Sequence, residues 1–225
     1  MKSSDELAIY IGKDLSIIVE EKCQDGRTSY KEVSPREFVK CVEQSLELGT
    51  VHSGLLPQNC LSYSTDSKGN IFVVTDFDYG SADITFEQTR YNAFPLPRLL
   101  FGFSIGPDDR IRSVNLGVAA PGKITPNTKM YRYPFSNVSG FRLCTGRNSL
   151  PAIKSLHQLD GIPHFILSMP NNMDHFSISN NKPNFEYREL LEHLKDKDSA
   201  YYYENILIES GKTVSDFIDM KKGSI

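Results

Sequence analysis

An α+β fold, with an antiparallel four-strand meander and flanking helices, is what this sequence predicts. Three observations carry that expectation. Between residues 60 and 133 the apolar residues come in short runs broken by turn formers, the pattern of strands. Hairpin turn signals join the runs, so each strand lies beside its neighbour in sequence. Helix-start chemistry stands on both sides of that stretch, Ser34-Pro35-Arg36-Glu37 before it and Thr213 with Asp216 after it.

The elements follow in order. Residues 7–33 read as a β-hairpin, with runs at 7–11 and 15–20 around Gly12-Lys13-Asp14 and a further turn at Asp25-Gly26. Ser34 then caps a helix, Pro35 takes its first position and Glu37 completes a capping box. Phe38, Val42, Ser45 and Leu46 share one stripe, Cys41 lies beside them as an expected core residue, and Gly49 ends the helix. Residues 1–50 thus form an N-terminal hairpin-plus-helix extension, a candidate subdomain, ahead of a main domain at 51–225. In that domain, strands at 60–63 and 71–76 flank Asp66-Ser67-Lys68-Gly69-Asn70. Strands at 99–105 and 111–119 flank Gly106-Pro107-Asp108-Asp109, and a last strand is expected at 129–133. Phe94-Pro95-Leu96-Pro97 must be extended, because each proline restricts the residue before it. Further on, residues 150–159 predict a helix opened by Pro151 and closed by Gly161. Asn184 caps another, with Phe185, Leu190, Leu191 and Leu194 as its buried side, and Thr213 opens a short one carrying Val214, Phe217 and Ile218. Between them, residues 170–175 are polar and turn-forming.

Composition narrows the function classes. A chain of 225 residues, 39% hydrophobic and 24% charged, can bury a real core as one large domain with a small appendage. A net charge of -3 argues against broad electrostatic binding to nucleic acid or an anionic membrane. No apolar run approaches the ~20 residues that span a bilayer. The opening Met1-Lys2-Ser3-Ser4-Asp5-Glu6 lacks the basic-then-apolar order of a secretory signal. Cys23, Cys41, Cys60 and Cys144 form no CxxC pair, so neither a zinc ribbon nor a dithiol redox motif is present. A cytoplasmic protein with free thiols, without metal or cofactor, is expected.

One cysteine stands apart. After Tyr133-Pro134-Phe135-Ser136-Asn137-Val138-Ser139-Gly140-Phe141-Arg142-Leu143, Cys144 falls on a turn-rich loop, seven positions beyond Asn137. A nucleophilic thiolate needs such reachability and polar neighbours. The plainer reading is an inert loop cysteine next to an Asx-turn. Cys23 and Cys60 read as structural or incidental.

Order and motifs together resemble the ubiquitin-conjugating enzyme superfamily, where a four-strand meander leads to a His-Pro-Asn signature and then to the catalytic cysteine. More closely, the chain resembles a bacterial branch, the prokaryotic ubiquitin-conjugating-like family D (PRTRC system protein B). The matching pieces are Leu55-Leu56-Pro57, Phe94-Pro95-Leu96-Pro97, Tyr131 to Asn137 with Val138, and Cys144-x-Gly146, and the resemblance covers roughly residues 50–180. The resemblance implies a UBC-like fold and a thioester-forming Cys144 that accepts a ubiquitin-like modifier and passes it on. It implies that Asn137 stabilises the oxyanion during attack by an amine. Asp174 and His175 become candidates for steering that amine and taking its proton, with Asp160 a second acid. The implied partners are a ubiquitin-like β-grasp protein, an adenylating (ThiF-like) enzyme and a JAB-type peptidase. No cofactor is implied, since the activating partner consumes the ATP. The sequence departs from the pattern in having no signature histidine, in placing Pro134 three positions before Asn137, and in an Asn–Cys spacing one shorter. Those departures favour an alternative, a catalytically silent binding module of the same fold. A third class, a cysteine hydrolase pairing Cys144 with His157, His164 or His175, fits less well, because the thiol follows a meander instead of opening a helix.

Overall fold

A computed structural model describes residues 6–22, 26–45, 52–78, 80–146 and 148–220. The chain is mixed α+β, mainly antiparallel sheet with few helices, and divides into two compact units, Met1–His52 and Ser53–Ile225.

The first unit holds a three-stranded antiparallel sheet of β1 (Glu6–Ile11), β2 (Ile17–Lys22) and β3 (Thr28–Val33), followed by α1 (Pro35–Ser45). The expected hairpin therefore gains a third strand. β2 starts later than expected because Leu15 sits at φ 65 and donates its N–H to the Gly12 carbonyl at 3.0 Å, extending the turn. The capping box forms: Glu37 N–H donates to Ser34 Oγ at 3.2 Å, and Ser34 Oγ donates to Glu37 Oε2 at 2.8 Å. Cys41 is exposed, which corrects its expected place in a core. Val39 and Val42 are exposed too, and Ile17 is the one buried apolar side chain among this unit's described residues. Cys23, Leu46 and Gly49 lie outside the described residues.

The second unit is built on the meander. β4 (Cys60–Thr65) pairs with β5 (Ile71–Phe77), and the chain then leaves the sheet as a separate hairpin, β6 (Ser81–Phe86) with β7 (Thr89–Pro95). It returns as β8 (Leu99–Ile105) beside β5 and continues as β9 (Ile111–Ala119) beside β8. Two short pieces line the free edge of β9: β10 (Lys129–Tyr131), and a two-by-two hairpin of β11 (Val138–Ser139) and β12 (Arg142–Leu143). Residues 132 and 133, expected in the last strand, lie beyond β10. Then come a 3-10 turn at Leu156–Gly161, α2 (Ile162–Ser168), β13 (Pro170–Asn171) parallel to β6, and α3 (Tyr187–Leu194). The chain ends with α4 (Ser199–Tyr201), a π-helical turn at Tyr202–Ile206, β14 (Glu209–Thr213) on β10, and α5 (Val214–Asp219).

Of the helix expected at 150–159 only the end forms, as the 3-10 turn at Leu156–Gly161. Ile153 N–H donates to the Asp109 carbonyl at 2.7 Å and Ala152 bridges Arg110, which pins the start of the expected helix extended. Gly161 ends the 3-10 turn, as expected of a closing glycine, and is also the N-cap of α2, with Pro163 in the first turn. Asn184 is at φ 56 in the turn before α3, and Glu186 is the cap. Both faces of the sheet are covered. Val73, Phe101, Phe103 and Leu116 pack with residues of α2 and α3, while Phe72, Val74 and Leu100 pack with Phe217 of α5.

Candidate functional site

Cys144 follows directly after β12, on a hairpin fastened at both ends. At the tip, Gly140 supplies the positive φ (62) that a two-residue turn needs. Phe141 beside it packs edge-on against Phe217 with ring centres 5.3 Å apart, and its carbonyl accepts from Leu116 N–H at 2.7 Å. That docking requires a glycine at 117, where an added Cβ would lie 2.8 Å from the Phe141 ring. At the base, Cys144 N–H donates to the Asn137 carbonyl at 2.7 Å.

Asn137 also ties this hairpin to the loop after β13. Its backbone N–H donates to the Asp174 carbonyl at 2.7 Å, and its Nδ2 donates to Asn171 Oδ1 at 2.8 Å. Asn171 is held in turn by β6 and by Glu87 N–H, which donates to its carbonyl at 2.9 Å. Asn172 Nδ2 donates to Asp174 Oδ2 at 2.8 Å, orienting that carboxylate.

Two depressions meet at the thiol. Cys144, Asn137 and Asp174 line a cleft of about 230 Å³ together with Asn171, Asn172, Ser136 and Tyr133, over apolar walls from Leu116, Ile166 and Met169. On the other side, Cys144 and His175 line a wider groove of about 870 Å³ with Arg110, Arg112 and Arg142. Asp108 balances part of that positive charge, 2.7 Å from Arg112 and 3.9 Å from Arg110. The thiol is exposed, so a reactant can reach it from either side.

The structure thus gathers Cys144, Asn137, Asp174 and His175 in one region, though the last two face different depressions. Asp160 is elsewhere. Its carboxylate accepts the Gln58 N–H at 3.0 Å, and it lines neither depression. His157 bonds Ser155 Oγ at 2.8 Å and His164 meets the Phe77 ring at 4.9 Å, so neither stands by Cys144. Cys60 is half-buried, its thiol donates to the Ser62 carbonyl at 3.5 Å, and burial pushes its pKa up. Sequence reasoning missed Asn171 and Asn172, whose only signal was their place in a turn-forming stretch, and the three arginines, which carry no local signal. Among the described residues, no three His, Cys, Asp or Glu side chains are grouped to hold a metal, and no helix is long and apolar enough to cross a membrane. Comparison with protein-family models, curated proteins and solved structures finds no match to this chain.

Proposed function

We propose that this is a UBC-like thioester carrier, in which Cys144 accepts a ubiquitin-like β-grasp modifier from an adenylating (ThiF-like) enzyme and passes it to an amine. The supporting observation is an exposed thiol on a braced loop, after a four-strand antiparallel meander, at the junction of two depressions. In loading, the Cys144 sulfur bonds the modifier's carbonyl carbon as the donor's C–S bond breaks, and the thiol proton leaves with the donor sulfur. In discharge, an amine attacks that carbon and the Cys144 thiolate departs. Asn137 Nδ2 gives one N–H to Asn171 and keeps a second for the oxyanion. Asp174, on the cleft rim, would orient the amine and accept its proton, and His175 could do so from the groove. ATP is spent by the activating partner, and a JAB-type peptidase would reverse the linkage. A reducing compartment such as the cytoplasm would keep the thiol available.

The bond from Asn137 to Asn171 also supports the second reading, a silent binding module, because it gives the amide a purely structural task. One experiment separates them. The protein is incubated with the activating enzyme, modifier and ATP, then run on a non-reducing gel. The expected result is a thiol-sensitive adduct that Cys144→Ala abolishes. An adduct that persists in Cys144→Ala overturns the assignment, and modifier binding without any adduct establishes the silent module.

A further inference from the structure

Tyr133 carries a hydroxyl that the fold does not use. The residue is only 8% exposed, and its ring meets Phe135 edge-on at 5.3 Å. Four tyrosines are buried among the described residues. Tyr91 donates to Glu192 at 2.8 Å, Tyr202 donates to the Pro95 carbonyl at 2.7 Å, and Tyr187 accepts from Ser136 at 3.2 Å. Tyr133 alone of the four makes no hydrogen bond with the described residues. Thr75 Oγ1 is the one fully enclosed side-chain polar atom without a partner there, so the Tyr133 hydroxyl is not sealed in. Tyr133 is one of the residues that line the cleft with Cys144. A buried, unsatisfied hydroxyl costs stability, and phenylalanine would fill the same space without that cost.

The chemistry of the cleft restricts what the hydroxyl can meet. Burial raises the phenol's pKa far above its ordinary value, so it stays protonated and serves as a donor. Its partner must then be an acceptor, which excludes an ammonium group. Among the described lining residues Asp174 carries the one charge, and its carboxylate disfavours an anion beside it. An uncharged carbonyl suits both constraints. We infer that Tyr133 donates a hydrogen bond to the carbonyl oxygen of an acyl group carried on Cys144. This rests on the acceptor-thiol reading above. When an amine attacks, the carbonyl π pair moves onto that oxygen and the bond from Tyr133 strengthens. The intermediate then collapses, the C–S bond breaks, the pair returns to sulfur, and the amine's surplus proton passes to Asp174 or water.

The test needs no cognate partner. The full chain is treated with an N-acetylglycine thioester of mercaptoethanesulfonate, labelled with carbon-13 at the carbonyl, and the adduct is mapped by mass spectrometry. Infrared spectra of the adduct and its discharge to ethanolamine are compared between wild type and Tyr133→Phe. Expected are loading of both proteins to the same final extent, a labelled carbonyl band at lower frequency in wild type, and discharge roughly ten-fold slower in the variant. Thermal stability should be equal or higher in the variant, since the deleted hydroxyl has no internal partner. Normal loading with identical bands and discharge rates overturns the role of Tyr133 and leaves the acceptor thiol standing. A lower melting temperature for Tyr133→Phe also overturns it, because the hydroxyl would then serve the fold. Absence of an adduct at Cys144 overturns both.

Discussion

Asn137 combines two tasks that substitution can separate. It lies at φ 63, a conformation that asparagine and glycine tolerate and that costs alanine about 1–2 kcal/mol. Its backbone bonds both Cys144 and Asp174, and its amide reaches Asn171. Asn137→Gly keeps the turn and removes the amide, whereas Asn137→Ala removes the amide and strains the turn. If the amide stabilises the oxyanion, both variants should load Cys144 normally and discharge about ten-fold more slowly, a loss of ~1.4 kcal/mol. Both variants lose the Asn171 hydrogen bond, and Asn137→Ala should be less stable than Asn137→Gly by a further ~1 kcal/mol in urea titration. Wild-type discharge by Asn137→Gly would reduce Asn137 to a turn former. At this scale the sequence was legible where the chemistry is local. Cys144 and Asn137 stand out because a proline, two glycines and an asparagine mark their loop. Asn171, which holds the Asn137 amide, is distant in sequence and joined only by folding. Asp174 and His175 are neighbours in sequence yet face different depressions, because His175 takes a positive φ of 59 that sends the chain another way. The unpartnered hydroxyl of Tyr133 is a property of packing, which no pattern of residue types displays.

Among the elements, the β6–β7 hairpin depends most on others for its position. Its outer strand docks on α3 through Tyr91, whose hydroxyl donates to Glu192, while Arg188 pairs with Glu87 at 2.6 Å and lies over the Phe86 ring at 5.0 Å. Burial first, and then the Glu192 hydrogen bond and charge, push the Tyr91 pKa up to about 12. The unfolded chain binds its phenol proton only up to about pH 10. The folded state therefore holds an extra proton between those values, and the associated stability is complete below about pH 10 and lost as pH rises toward about 12. Tyr91→Phe should be less stable at neutral pH by about 1 kcal/mol and should lose stability less steeply across that alkaline window. Urea midpoints measured at intervals through it check this, and parallel curves would remove Tyr91 as a source of alkaline sensitivity. The sequence did not reveal this hairpin, although Ala82, Ile84 and Phe86 alternate inward, because its Glu87-Gln88 turn lacks the glycine or asparagine that marks the others. The helices α1 and α5 were legible from their capping boxes, which are closed within four residues. Only the end of the helix expected near Pro151 formed, because a carbonyl from the β8–β9 turn claims the Ile153 N–H. Local chemistry decides helix ends, and tertiary bonds can overrule it.

For the whole molecule, burial is divided very unequally between the two units. The larger apolar cluster runs from Val73 to Leu207 and the smaller from Phe72 to Phe217. In Met1–His52, Ile17 is the one described apolar side chain that is buried, while Ile9, Tyr10, Ile11 and Tyr30 are exposed. A domain of about 60 residues is marginal even when it buries roughly 60% of its unfolded surface, and a three-stranded sheet with one enclosed side chain falls short of that. Stability should therefore reside in Ser53–Ile225. Expressed alone, residues 53–225 should unfold cooperatively in urea at the midpoint of the full chain, with nearly the same m-value, because m follows the surface exposed on unfolding. Residues 1–52 alone should show no cooperative transition. The 53–225 fragment should also accept the small thioester on Cys144 at the full-length rate, since the described residues that line both depressions belong to it. A midpoint clearly below that of the full chain would show that the first unit contributes to the fold of the second. Slower acylation at an unchanged midpoint would instead make the first unit part of the working site.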